Sequence, residues 1–212
     1  MAIWVKENFK KELVKLQSYK SKCYKEALEE CFHKMDDLME TPAGQRRLLE
    51  LQAQDGGYGD PGSFKSFAGC TATVIIVTRT EIICANSGDS RTVLSRAARA
   101  KEMSEDHKPE NPEESRRIMA AGGFVEDGRV NGALALSRAL GDFEYKSNRQ
   151  MGWKEQAVTA YPDCRTEPID SQTQYVLLAC DGIWDVKTSQ EAIDFMSKKL
   201  YRNNFGGQKR TM

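Results

Sequence analysis

Residues 70–95 constrain the fold more than any other stretch. CTATVIIVT (70–78), EIICANS (81–87) and RTVLS (91–95) are apolar, β-branched runs separated by short polar turns. Branched side chains pack well on a pleated surface, and short connections of this kind read as a strand meander. Helical spacing precedes it. Trp4, Val5, Phe9, Leu13 and Leu16 predict a helix over 3–20, and Tyr24, Ala27, Leu28, Cys31, Met35 and Leu38 a second over 22–40. Thr41 and Pro42 break that pattern, and GQRRLLELQAQ predicts a third, short helix. Residues 55–68, DGGYGDPGSFKSFA, read as turn-rich and mobile.

After the meander, 96–111 reads as a charged loop and 112–121 as a helix stopped at Gly122-Gly123. Asp127-Gly128 is a hairpin signal, and LALSRALGD (134–142) predicts a short helix. TQYVLLAC (173–180) predicts a buried strand, and SQEAIDFMSKKL (189–200) an amphipathic helix with Ser189 as its N-cap. Strands and helices are segregated along the chain. That order predicts an α+β architecture rather than a doubly wound sheet.

Composition excludes several classes. Lys+Arg and Asp+Glu are both 31, so neither nucleic acid nor an anionic membrane is indicated as partner. No apolar run approaches the roughly 18 residues of a membrane span, and the charged start is unlike a signal peptide. The six cysteines form no CxxC pair and there are two histidines, which argues against a thiolate zinc site. Four of the cysteines sit among apolar neighbours, as in EIICAN and LLACDG, and read as small core residues of a protein from a reducing compartment, cytoplasmic or nuclear.

Two carboxylates stand out by context. Asp89 follows the strand EIICAN and Ser87-Gly88; Asp181 follows YVLLAC and precedes Gly182. A carboxylate at a strand end beside glycine leans out of the core, and Mg²⁺ and Mn²⁺ are bound by such oxygens together with water. The competing reading is a turn in which each Asp bonds its own backbone.

Five segments, in order, decide more. GCTATV (69–74), ANSGDSR (85–91), DHKP (106–109), GGFVEDGRVNGALALSRALGDFEYK (122–146) and ACDGIWDV (179–186) resemble the motifs of the PPM (type 2C) metal-dependent serine/threonine protein phosphatases. The resemblance implies two antiparallel sheets packed as a sandwich and flanked by helices, α-β-β-α, with a cleft holding two Mg²⁺ or Mn²⁺ ions. There a metal-bridging water attacks phosphoserine or phosphothreonine of a phosphoprotein substrate. It implies that Asp181 is a ligand of the core metal pair and that Asp89 shares a further, weaker site with it. Gly88 and Gly182 support these turns, Ser90 and Arg91 shape the first, and Trp184 and Asp185 pack and cap after the second. Arg138 and Asp142 are implied to be structural, as a buried ion pair. FEYKSNRQMGW falls where the family carries a flap near the cleft. His107 is expected in a solvated loop, without a catalytic role.

The chain also departs from the family pattern. The family's opening strands, with a metal-binding Glu, a phosphate-binding Arg and an Asp-Gly-His-Gly-Gly turn, have no counterpart, so the resemblance implies that Met1 is an internal start or the mark of a trimmed gene model. Asn203-Asn204 does not reproduce the family's closing Asp-Asn motif. Residues 1–200 are thus expected to be a partial, incomplete phosphatase domain, monomeric if complete, and 201–212 a disordered tail. Little or no activity is expected of the chain by itself, and one weak ion site. The alternative is a non-catalytic phosphatase-like scaffold or regulatory module. A metal-dependent nuclease is disfavoured by the neutral charge.

Overall fold

The computed structural model describes residues 1–54 and 68–205. Most of the 55–68 stretch and the end of the tail therefore lie outside the described residues. The chain opens with helices α1 (Ala2–Leu13), α2 (Gln17–Lys20), α3 (Tyr24–Glu40) and α4 (Pro42–Gln54). The first expected helix is split in two. Val5, Phe9 and Leu13 are buried four residues apart, but the next position of that stripe is the polar Gln17, and Val14 is exposed. On α3 the stripe Ala27, Leu28, Cys31, Phe32, Met35 and Met39 is buried throughout, and Phe32 meets Phe9 edge-on at 5.2 Å. Thr41 and Pro42 do separate α3 from α4. The Thr41 hydroxyl accepts the Gly44 N–H at 3.1 Å, which satisfies one of the free donors at the helix start.

The meander forms as expected. Strands β1 (Gly69–Cys70), β2 (Ala72–Val77), β3 (Glu81–Ser87) and β4 (Arg91–Arg96) follow in order. Residues 96–111 are less loop-like than expected: Arg99–Glu102 is strand β5, antiparallel to β4. Helix α5 (Pro112–Ala120) ends before Gly122-Gly123. Strands β6 (Val125–Glu126) and β7 (Arg129–Val130) make the expected hairpin. Asp127 (φ 49°) and Gly128 (φ 71°) form its turn; two positive φ angles match the strand twist.

The helix expected over 134–142 is absent. Strand β8 (Leu140–Gly141) lies there, paired with β1. Ser137 and Arg138 both bond the buried Glu114 carboxylate, and the Gly141 N–H donates to Asp36 at 2.9 Å, so tertiary hydrogen bonds override the helical spacing. Strand β9 (Asp163–Pro168) was not foreseen, because its residues alternate charged and small with one exposed face. Strand β10 (Thr173–Ala179) was foreseen, but as a buried strand. It is only half-buried, with Leu178 exposed, because it is hydrogen-bonded on one side alone. The one-turn helix α6 (Asp181–Trp184) and the long α7 (Ser189–Phe205) close the described chain. Thr188, not Ser189, caps α7. Its hydroxyl accepts the Glu191 N–H at 3.3 Å while Glu191 accepts the Thr188 N–H at 2.8 Å, the reciprocal pair of a capping box.

Two three-stranded antiparallel sheets, β2-β3-β9 and β10-β4-β5, face each other. Alternation along β3 sends Ile83 and Ala85 toward α1 and α3, and Ile82 and Cys84 toward Leu94, Met103 and Val176 of the other sheet. On the far side α7 packs over β5, and the Tyr175 hydroxyl donates to the Ile193 carbonyl at 2.8 Å. The layers are therefore helix, sheet, sheet, helix, as expected. The ends of β3 and β10 lie at one end of the sandwich.

Candidate active-site cleft

Strand β3 stops at Ser87, and Gly88 turns the chain at φ 110°. An added Cβ there would lie 2.4 Å from the Thr71 methyl, so both conformation and space require glycine. The Thr71 and Ser90 hydroxyls are bonded at 2.8 Å, and β4 then starts at Arg91. Arg91 grips Asp106 with two bonds of 2.9 Å and lies over the Trp184 ring at 5.2 Å. This ties the Asp89 turn to the segment after β10. There Asp181 opens α6, its carboxylate accepting the Gly182 N–H at 2.8 Å, and the Trp184 indole donates to the Ala179 carbonyl at 2.7 Å.

Asp89 and Asp181 thus line one open cleft of about 350 Å³, with Thr71, Ser90, Arg129 and Leu136. The two carboxylates singled out in the sequence are brought together. Asp181 is exposed, whereas Asp89 is largely covered and ion-paired with Lys108. Lys108 and Arg129 were not foreseen as cleft residues. Arg129 donates one N–H to the Ala133 carbonyl at 2.7 Å, makes no further side-chain hydrogen bond among the described residues, and lines the cleft from the β6–β7 hairpin. Basic residues inside the DHKP and GRVNG segments were the available signal.

The segment 143–153 is not at this cleft. It lines a different cavity, of about 540 Å³, against α3, with Trp153 stacked on His33 at 4.3 Å. The expected flap position is corrected accordingly: the β6–β7 hairpin and residues 133–136 are what border Asp89 and Asp181.

Arg138 and Asp142 are also not partners. Arg138 is 8% exposed and clamps Glu114, at 2.6 and 3.1 Å, and Asp163, at 2.7 Å. Glu114 further accepts from Arg117 at 2.7 Å and from the Ser137 hydroxyl at 2.6 Å. Burial would raise the Glu114 carboxyl, but the two guanidiniums and the hydroxyl outweigh it and hold it down at about 2. Asp163 is likewise held well below the carboxylate range: burial opposes this, and His107 and Arg138 prevail. Asp142 faces Gly69 and accepts no side-chain hydrogen bond among the described residues, so burial pushes it up to about 6. His107, expected in solvent, is 3% exposed and bonded to Gly88 and Asp163. Cys180, expected in the core, is exposed beside Asp181; Cys31 and Cys84 are buried, and burial pushes the Cys31 thiol up to about 12.

The cleft can be tested for divalent ions by its donor set. Mg²⁺ and Mn²⁺ keep several waters and take one or two carboxylates, so Asp89 and Asp181 fit a single hydrated ion. They do not fit two ions about 3.5–4 Å apart, whose mutual repulsion needs more negative charge. Among the described residues no group of three His, Cys, Asp or Glu side chains is placed to hold a metal, and Lys108 offsets part of the charge of Asp89.

A family model described as protein phosphatase 2C matches residues 4–209. The chain belongs to the protein phosphatase 2C family. It is 44% identical over 193 residues to protein phosphatase 2C 1 of Paramecium tetraurelia, covering 91% of this chain and 62% of that protein. It is 52% identical over 134 residues to protein phosphatase 2C homolog 2 of Schizosaccharomyces pombe, covering 63% and 36%. A solved serine-threonine phosphatase 2C from Toxoplasma gondii shares the fold at TM-score 0.68 and 18% identity, over 94% of this chain and 71% of that one. A structure described as a C. elegans sex determining protein does so at TM-score 0.69 and 23% identity, over 92% and 43%. The chain spans 62–65% of the length of the Paramecium phosphatase 2C relatives it matches. No helix among the described residues is long and apolar enough to cross a membrane.

Proposed function

We propose that the protein is a Mg²⁺- or Mn²⁺-dependent phosphatase acting on phosphoserine and phosphothreonine of other proteins, and that residues 1–200 are part of its catalytic domain. The observation that carries this reading is the meeting of two strand-end carboxylates, Asp89 and Asp181, in one cleft of a phosphatase 2C chain. Asp181 and Asp89 would hold a divalent ion, supported by the Gly88 and Gly182 turns; bound, such an ion lowers the pKa of its water and offsets phosphoryl charge. The free part of the Arg129 fork offers planar donors to a phosphoryl group. Arg138 and Asp142 serve the fold behind the cleft. The cysteine pattern supports a reducing compartment, cytoplasm or nucleus, the balanced charge speaks against nucleic acid or membrane as partner, and the domain, where complete, is a monomer.

The Lys108–Asp89 pair and the small donor set support a narrower reading for this chain by itself: a phosphatase-like module with one weak ion site. The purified chain is expected to hydrolyse a phosphothreonine peptide with Mn²⁺ no faster than its Asp181→Ala variant. Hydrolysis that disappears in the variant would show that a working site forms from these residues, and the narrower reading would be wrong.

Lys108 competes with any cation for Asp89. Lys108→Met is therefore expected to tighten Mn²⁺ binding about three- to tenfold, as removal of one nearby positive charge should. Electron paramagnetic resonance titration of free Mn²⁺ checks this; unchanged or weaker binding would remove Lys108 from the account of the cleft.

A further inference from the structure

Asp89 is aimed by a turn that does not hold itself. The Gly88 N–H donates to Nδ1 of His107 at 3.1 Å, and the Gly88 carbonyl accepts the His107 main-chain N–H at 3.1 Å and the Asn86 amide at 3.0 Å. Both backbone polar groups of Gly88, in the two peptide units that precede Asp89, are thus fixed by side chains and backbone beyond Gly88 itself. With Nδ1 accepting, Nε2 carries the proton and donates to Asp163 at 3.2 Å. Asp163 is in turn fixed by Arg138 at 2.7 Å, and Arg138 by Glu114. His107 is 3% exposed, Glu114 3% and Arg138 8%, so three of the four members are shielded from water, while Asp163, which joins His107 to Arg138, is open to solvent on one side. Nδ1 also lies 3.2 Å from the Gly88 carbonyl, and the carboxylate facing Nε2 favours the tautomer in which Nε2 holds the proton and Nδ1 accepts. That is more than core packing requires: an apolar residue of similar size would fill the space without fixing the direction of the Gly88 N–H.

We propose that His107 is a positioning residue for Asp89, transmitting the rigidity of the Glu114–Arg138–Asp163 charge chain to the Gly88 peptide and so fixing the direction in which the Asp89 carboxylate enters the cleft. The proposal rests on the reading of Asp89 as a divalent-ion ligand. Residues that orient a ligand from behind are worth about 10- to 100-fold in metal affinity. The side chain that does this work sits beside Lys108, which contacts Asp89 directly, so adjacent residues of DHKP hold the turn from two sides.

The test uses the whole chain, Mn²⁺ as probe, and two variants of opposite expectation. His107→Phe fills the site but can neither accept from Gly88 nor donate to Asp163. His107→Gln can do both. Amide hydrogen exchange at Gly88, compared with amides in the middle of β3, reports on the turn separately from global stability. His107→Phe is expected to speed exchange at Gly88 about tenfold more than in mid-β3 and to weaken Mn²⁺ binding about tenfold, and His107→Gln to restore both to within about twofold. If the Phe variant does not fold, Asp163→Asn, which cuts the anchor and keeps the volume, is expected to act in the same direction. Equal changes at Gly88 and in mid-β3 would overturn the proposal. So would a freed Gly88 with unchanged Mn²⁺ binding, provided Asp89→Asn weakens that binding. Should Asp89→Asn leave Mn²⁺ binding intact, the metal reading of Asp89 itself fails and takes the proposal with it, while the exchange result still separates the two failures.

Discussion

Replacing Arg138 by methionine is expected to destabilise the protein by about 3–5 kcal/mol, the usual cost of removing one partner from a buried charge cluster. The stem volume is nearly kept, so the effect isolates the guanidinium. What remains is Glu114, 3% exposed, with Arg117 as its only cation, and Asp163 with His107. Urea unfolding of both proteins at pH 7.5 measures the difference; a loss under about 1 kcal/mol would mean that Arg117 and water satisfy Glu114 without Arg138. The acid limb follows the same cluster. Glu114 is held at about 2 in the folded state against 4.5 as its ordinary value. A depressed carboxylate stabilises the fold above its unfolded pKa, and that contribution is lost as pH falls from about 4.5 to about 2. In the methionine variant the acid transition should start at higher pH.

Asp142, four residues on in the same motif, is expected to behave in the opposite sense. Its carboxyl is raised to about 6 from 3.8, first by burial and then by Glu144 and Asp36, against the pull of Lys146. The folded state binds its proton more tightly than the unfolded state does. Stability from this group is therefore full below the unfolded pKa and falls as pH rises through about 6. Asp142→Asn removes the charge without changing shape. It is expected to stabilise the protein at pH 7.5 by on the order of 1–3 kcal/mol and to have no effect at about pH 4. Thermal unfolding at the two pH values decides. A variant less stable at pH 7.5 would show that the ionised carboxylate is needed where it lies, against Gly69 and near Lys146.

These two residues also show what was legible in the sequence. Asp89 and Asp181 could be found because each ends a β-branched run and sits beside glycine, a local pattern. The meander, α3 and the Asp127-Gly128 hairpin were legible for the same reason: their signal lies within a few residues. The partners of Arg138 were not. Asp142 is its nearest acid in the chain toward the C-terminus, but Glu114 and Asp163 are nearest in space, and only the topology of α5 and β9 brings them there. His107 was misplaced because DHKP is polar, and polarity by itself reads as solvent. Strands β5 and β9 were missed because RAKE and DCRTEP carry charge on an exposed face, so the period-two pattern of a half-buried strand is hidden by their composition. LALSRALGD has helical spacing, and tertiary hydrogen bonds to Asp36, Glu114 and Asp163 overrule it.

The register of β4 against β10 has a consequence for the order in which the cleft can exist. Arg91 pairs with Ala179, so the residues flanking Asp89 and Asp181 are neighbours across one of the longest loops that any strand pair in this chain must close. Closing such a loop costs chain entropy before any contact repays it, whereas the α1–α3 packing and the β2–β3 hairpin close over short distances. A nascent chain that has made only its local structure has the β2–β3 hairpin but neither the His107–Asp163 anchor behind Gly88 nor Asp181 opposite Asp89. The cleft is therefore expected to be a late product of folding, with Asp89 and Asp181 becoming a pair only when the second sheet zips shut.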